Sequence, residues 1–131
     1  MGALTYLIDT HVLLWWLFDD KRLSRRAAGL IRDPENQIVV SSATAWEIAI
    51  KYRSGRLDSA KPLVENYADW LVRAGFREIG INSMHAIRAG SWEVEHRDPF
   101  DRMLAAQSNL ETLKLVTRDP AFKSFAIETI W

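Results

Sequence analysis

No cysteine occurs among the 131 residues. That absence removes a disulfide framework, a thiolate zinc site and a cysteine nucleophile together, and it is compatible with a reducing cytosol. Charge of one sign is also lacking, since 17 Lys and Arg balance 17 Asp and Glu to a formal net charge of zero. A nucleic-acid binder is often basic overall, so bulk charge argues mildly against such a partner. Local basic clusters do exist: Lys21-Arg22 with Arg25-Arg26, Lys51 with Arg53 and Arg56, and Arg97 with Arg102. Taken singly, each reads as a solvated face. No apolar run approaches the length of a bilayer span. The opening Met1-Gly2-Ala3-Leu4 lacks the basic start and apolar stretch of a secretory leader. A soluble protein that stays in the cytoplasm, with no membrane partner, is therefore expected.

What is present suits one compact unit. Hydrophobic residues make up 48% and charged residues 26% of the chain, enough apolar material for a packed core. No repeat, low-complexity tract or linker divides it, so a single domain over residues 1–131 is expected. Tyr6-Leu7-Ile8 reads as a short buried strand ending at Asp9. Thr10 is placed to cap a helix over His11 to Phe18. Ser24 is expected to cap a second helix through Ile31, and Asp33-Pro34-Glu35-Asn36 makes a turn.

Ile38 to Ser41 forms a second strand, and Ala43 to Arg53 a helix that stops near Gly55. Pro62 opens a helix expected to run to about Arg73, with Gly75 beyond its end. Phe76 to Ile81 follows as a strand, and Ser83 to about Val94 as a helix weakened by Gly90. Asp98-Pro99 opens a helix through about Leu110. Lys114 to Thr117 is a strand, Asp119-Pro120 starts a helical turn, and Ile127 to Ile130 closes the chain. Strands alternating with helices predict an α/β fold, a parallel sheet between helical layers.

In such a sheet, ligands bind outside the carboxyl ends of the strands. Asp9 ends the first strand, and Asp119 lies just beyond the strand that closes at Thr117. Asp101 sits in the first turn of the preceding helix, and Glu47 about one turn into the helix after the second strand. All four acids thus fall on one edge of the sheet. Gathering carboxylates is unfavourable unless a cation neutralises them or some become protonated. Magnesium or manganese is the natural remedy, because both take oxygen ligands, and such a site suits hydrolysis of RNA or DNA.

Each acid also has a structural explanation. Asp98 before Pro99 and Asp119 before Pro120 have the form of helix caps, as does Asp33 before Pro34, where no chemistry is expected. Asp101 suits the positive end of any helix, and Glu47 can pair with Lys51 one turn on. Asp9 is the hardest to explain so, because it interrupts an apolar segment from Tyr6 to Phe18.

Four segments, in order, resemble the PIN-domain ribonucleases, specifically VapC-type toxins of toxin–antitoxin pairs. They are Leu7-Ile8-Asp9-Thr10-His11-Val12-Leu13-Leu14-Trp15, Ser41 to Lys51 (SSATAWEIAIK), His96 to Gln107 (HRDPFDRMLAAQ) and Leu115-Val116-Thr117-Arg118-Asp119. Together they span nearly the whole chain. The resemblance implies a PIN-like three-layer sandwich with a central, mainly parallel sheet flanked by helices. It implies a nuclease using Mg2+ or Mn2+, with Asp9, Glu47, Asp101 and Asp119 as its metal-binding, catalytic acids. Asp98, Thr10, Thr117 and His96 are accessory candidates; Asp98 suits a cap better than a ligand, and Thr117 could orient a carboxylate or water.

The same resemblance implies RNA as substrate and a VapB-like antitoxin as partner, with operator DNA met only through that antitoxin. A homodimer is expected as well. Trp15, Trp16, Leu17 and Phe18 offer more apolar surface than one helix face needs, so one or two of them could line a groove for a partner helix or the dimer contact. Trp46, Trp70, Trp92 and Trp131 read mostly as packing. His11 and His85 have no partner at zinc-like spacing and read as structural. Two rivals remain: a non-catalytic binding module whose acids are caps and ion-pair partners, and a phosphate-accepting receiver domain. The receiver would need paired acids after the first strand and a lysine after a late one, where this chain has Asp9 alone and Arg118.

Overall fold

In the computed structural model, residues 4–131 are described. Met1-Gly2-Ala3, read above as the start of no secretory leader, lies outside the described residues. Short runs of β-branched and aliphatic residues make five parallel strands: β1 (Thr5–Ile8), β2 (Gln37–Ser41), β3 (Arg77–Ile79), β4 (Lys114–Val116) and β5 (Thr129–Ile130). Their order is β3-β2-β1-β4-β5. Between them run α1 (Thr10–Leu17), α2 (Arg25–Arg32), α3 (Ser42–Arg53), α4 (Lys61–Glu65), α5 (Tyr67–Ala74), α6 (Ser83–Ser91) and α7 (Pro99–Glu111). Short 3-10 turns lie at Asp58–Ala60 and Pro120–Ser124.

Successive strand residues point to opposite faces, and both faces are covered. Tyr6, Ile8, Ile38, Val40 and Val116 join a core completed by Val12 and Leu13 of α1, Ile31 of α2, Leu63 and Leu71. The residues between them, Leu7, Val39 and Leu115, join a second core with Leu104 and Ala105 of α7, Phe122 and Phe125. Burial on both faces is why the strands read as continuous apolar runs rather than alternating ones.

Ile8 pairs with Val40 on one side and Val116 on the other, so β1, β2 and β4 end level. The chain leaves β1 for β2 and β3 on one side, then returns to lay β4 on the other. That reversal opens a crevice at the carboxyl ends of β1 and β4.

Five expectations are corrected. Asp9, not Thr10, caps α1: its Oδ1 accepts from the Val12 N–H at 2.8 Å, which releases the Thr10 hydroxyl for other work. The helix expected from Pro62 to Arg73 is two, α4 and α5, broken at Asn66, whose ψ of 42° is not helical. Arg102 is not part of a solvated basic cluster with Arg97. Its guanidinium donates to the carbonyls of Ala89, Val94 and His96 at 2.6, 2.7 and 2.8 Å and to that of Trp92, holding the irregular segment between α6 and α7. Because those carbonyls are taken, α6 stops at Ser91 rather than Val94. Finally, Trp46 is not packing but 59% exposed, its ring 5.0 Å from that of Phe100. Among the described residues, no helix is long and apolar enough to cross a membrane.

Candidate active site

The carboxyl edge of β1 carries the most constrained acid. Asp9 is 5% exposed. Its N–H donates to the Val116 carbonyl at 3.2 Å, so its backbone continues the ladder to β4. One carboxylate oxygen caps α1 and the other accepts from the Thr117 hydroxyl. The same hydroxyl oxygen accepts from the Asp119 N–H at 3.1 Å, so Thr117 joins Asp9 to the turn that bears Asp119. Asp119 itself is exposed, and its Oδ1 caps the 3-10 turn through the Ala121 N–H at 2.9 Å.

Glu47 reaches the edge from α3, buried to 6% exposure. Thr10 Oγ1 donates to Glu47 Oε1 at 2.6 Å, and Thr44 Oγ1 lies 3.2 Å from the same hydroxyl. The other Glu47 oxygen accepts from Lys51 Nζ at 2.7 Å, one helical turn on. Asp101, in the first turn of α7, faces His96 Nε2 at 2.8 Å. Asp98 turns away to cap α7, accepting from the N–H groups of Phe100 and Asp101 at 2.9 and 3.1 Å.

Burial of these acids has an electrostatic cost. Loss of water raises the Asp9 carboxyl above its ordinary range; the Thr117 hydroxyl and Val12 N–H oppose this, as does His11, and the Glu47 charge adds to it. The Asp101 carboxyl is pushed up to about 6, first by burial and further by Asp98 and Glu47, against the lowering effect of His96. Glu47 is the smallest contribution to each aspartate, so the three make one electrostatic unit only weakly, and loss of water dominates both shifts.

The acids do not form a ready-made cage. Among the described residues, no three His, Asp or Glu side chains stand together as metal ligands. Asp9, Glu47 and half-buried Asp101 each face an internal partner instead: Thr117, Lys51 and His96 respectively. The donor set nonetheless fits a hard divalent cation, being all carboxylate oxygen with Asp9 and Glu47 buried. Asp9 and Asp119 share a cleft of about 310 Å3 with His11, Trp15, Arg22, Arg118 and Pro120.

Sequence reasoning passed over Thr44, Trp15 and Arg118 as parts of this region. Thr44 had a signal, since it lies three residues before Glu47 and so shares its helix face. His85 is structural, as expected: its Nδ1 accepts from the Asn82 N–H at 3.2 Å and its Nε2 meets Glu111 at 2.9 Å.

With this geometry in view, comparison with known proteins is direct. The family model described as the PIN domain matches residues 6–128. The chain belongs to the PIN domain family. It is similar to Ribonuclease VapC22 of Mycobacterium tuberculosis (strain ATCC 25618 / H37Rv), with 28% identity over 92% of this chain and 91% of that protein. Ribonuclease VapC16 of the same strain is 36% identical over 43% of this chain, a match that spans only 40% of the relative's length. The fold matches the crystal structure of VapBC2 from Rickettsia felis bound to a DNA fragment from their promoter. The TM-score is 0.68 at 16% identity, covering 97% of this chain and 98% of that one.

Proposed function

We propose that the chain is a divalent-metal-dependent endoribonuclease, the toxin of a type II toxin–antitoxin pair. One observation carries most of this reading: Asp9 and Glu47 are buried and Asp101 half-buried at the carboxyl edge of the sheet. Loss of water there raises both aspartates and the Glu47 charge adds to each, a cost that a bound cation would relieve. Asp9, Glu47, Asp101 and Asp119 would hold Mg2+ or Mn2+, directly or through water. When bound, the ion supplies Lewis acidity and activation of water for phosphodiester hydrolysis.

The chain's own residues prepare that chemistry. Thr117 fixes one Asp9 oxygen, and Thr10 fixes one Glu47 oxygen. Lys51 neutralises the other Glu47 oxygen. His96 Nε2 lies 2.8 Å from Asp101 and fixes the orientation of that carboxyl. Asp98 acts as a helix cap outside this set. The binding-module alternative accounts for the caps made by Asp98, Asp119 and one oxygen of Asp9, and for the Glu47–Lys51 pair; it does not account for the burial of Asp9 and Glu47 at one edge of the sheet.

Two surfaces suit the expected protein partners. Trp15, Trp16, Asp19, Leu23 and Arg32 line a cleft of about 570 Å3 between α1 and α2, a seat for a VapB-like antitoxin. The VapBC2 assembly of Rickettsia felis, solved bound to a DNA fragment from its promoter, supports a partner of this class; operator DNA would be met through that antitoxin. Exposed Trp46 and Ile81 line an apolar groove with Phe100 and Met103, a face that suits a homodimer. Cytoplasmic residence accords with this role.

The test is cleavage of single-stranded RNA by purified protein in Mn2+, with and without chelator. Asp9→Asn should lose activity by at least about 100-fold while remaining folded. Full metal-dependent cleavage by the folded variant would overturn the site.

A further inference from the structure

The cleft beside Asp9 has a second wall that the metal chemistry does not use. Trp15 is buried there, braced by Trp131 and His11 at 5.8 and 5.7 Å between ring centroids. Two guanidinium groups lie over its indole, with Arg118 Cζ at 4.8 Å and Arg22 Cζ at 5.2 Å from the centroid. The two cations are differently employed. Arg22 is bidentate on Asp20, at 3.1 and 2.8 Å. Arg118 is exposed and, among the described residues, makes no ion pair and no side-chain hydrogen bond.

That freedom needs a cause, because Arg118 precedes Asp119 and shares the cleft with Asp9. Each acid is engaged elsewhere: Asp9 with Thr117 and Val12, Asp119 with the Ala121 N–H. Trp15 attracts the guanidinium by its π face. A planar fork of N–H donors is thereby held in an acid-bearing cleft, within reach of the Asp20 charge but hydrogen-bonded to none of the acids, Asp20 being already engaged by Arg22.

We propose that Arg118, positioned by Trp15, grips an RNA phosphate adjacent to the one brought to the acids. This rests on the ribonuclease reading above. Guanidinium matches the geometry of phosphate oxygens and stays charged at any working pH. A strand with one phosphate at Asp9 carries its next phosphate a single nucleotide away, within the same cleft. Arg22 contributes less, since Asp20 already occupies its fork. An acidic protein segment is the competing occupant, but it lacks a regular repeat of anions to span from Asp9 to Arg118.

The test measures binding of a short single-stranded oligoribonucleotide to the full chain in chelator, across a range of salt, alongside cleavage in Mn2+. Arg118→Met should weaken binding roughly tenfold and reduce the slope of log affinity against log salt by about 0.7, the signature of one lost phosphate contact. Arg118→Lys should keep the slope. Trp15→Leu should weaken binding in the wild-type background and add nothing in the Arg118→Met background, a coupling that general loosening of the fold does not produce. Unchanged affinity and slope in Arg118→Met, with wild-type cleavage intact, overturns this inference and leaves the ribonuclease reading standing. Loss of polyglutamate binding in that variant, with RNA binding unchanged, overturns it in favour of an acidic protein. A wild-type chain that neither binds nor cleaves RNA overturns both.

Discussion

The faces of the central sheet and its carboxyl edge are made by the same strands under opposite rules. On the faces, Leu7, Ile8, Val39, Val40, Leu115 and Val116 are wholly buried among apolar neighbours. One residue further along β1 and β4, Asp9 and Thr117 are nearly as buried, and Thr10, Thr44 and Glu47 join them. The faces gain stability from every side chain they exclude from water. At the edge, burial raises the Asp9 and Asp101 carboxyls, so their ionised forms are held there at a cost to the fold. A region that is expensive to keep ionised, on a scaffold otherwise satisfied, is where chemistry is to be sought.

That contrast can be broken from either side. The largest stability effect belongs to the faces: Leu104→Ala, in the core shared with Leu7 and Leu115, should cost about 2–5 kcal/mol in denaturant unfolding, with activity per folded molecule retained. At the edge the balance reverses. Thr10→Val keeps the shape of the side chain but removes the hydrogen bond that orients Glu47; cleavage should fall by about 10–100-fold, with a much smaller change in stability.

The smallest effect is electrostatic. The folded Asp101 carboxyl titrates at about 6, above its unfolded value of 3.8. Between these values the folded state binds more protons than the unfolded, so stability contributed by this group is present at low pH and lost as pH rises from about 4 to about 6. Chelated wild type should therefore lose on the order of 2 kcal/mol from this group across that window, and Asp101→Asn should flatten that component of the profile. A profile identical in the two proteins would remove Asp101 from the electrostatic unit.

Much of the frame was legible in the chain. β-Branched strands, Ser24, the Asp-Pro openings and Gly75 are local signals, and each element they mark exists. What escaped depends on partners distant in sequence. Arg102 reads as a surface charge until four carbonyls of another segment surround it. The break at Asn66 interrupts a run with no Gly or Pro to announce it. Asp9 and Thr10 are equally good caps by composition; choosing between them required knowing that Glu47 waits for the threonine hydroxyl. For the site, Thr117, His96 and the Glu47–Lys51 pair were already legible, the first two through the family resemblance and the pair through its spacing of one turn. Thr44 and the Trp15–Arg118 stack were not, because their partners are brought near only by the fold.

The central claim is that the buried acids act together as one divalent-metal site, and titration of Mn2+ into the chelator-stripped protein tests it most directly. Wild type should bind the ion, and Asp9→Asn, Glu47→Gln and Asp101→Asn should each weaken binding by roughly tenfold or more while remaining folded. Wild type that takes up no Mn2+, or folded single variants that bind it as tightly as wild type, would contradict the account.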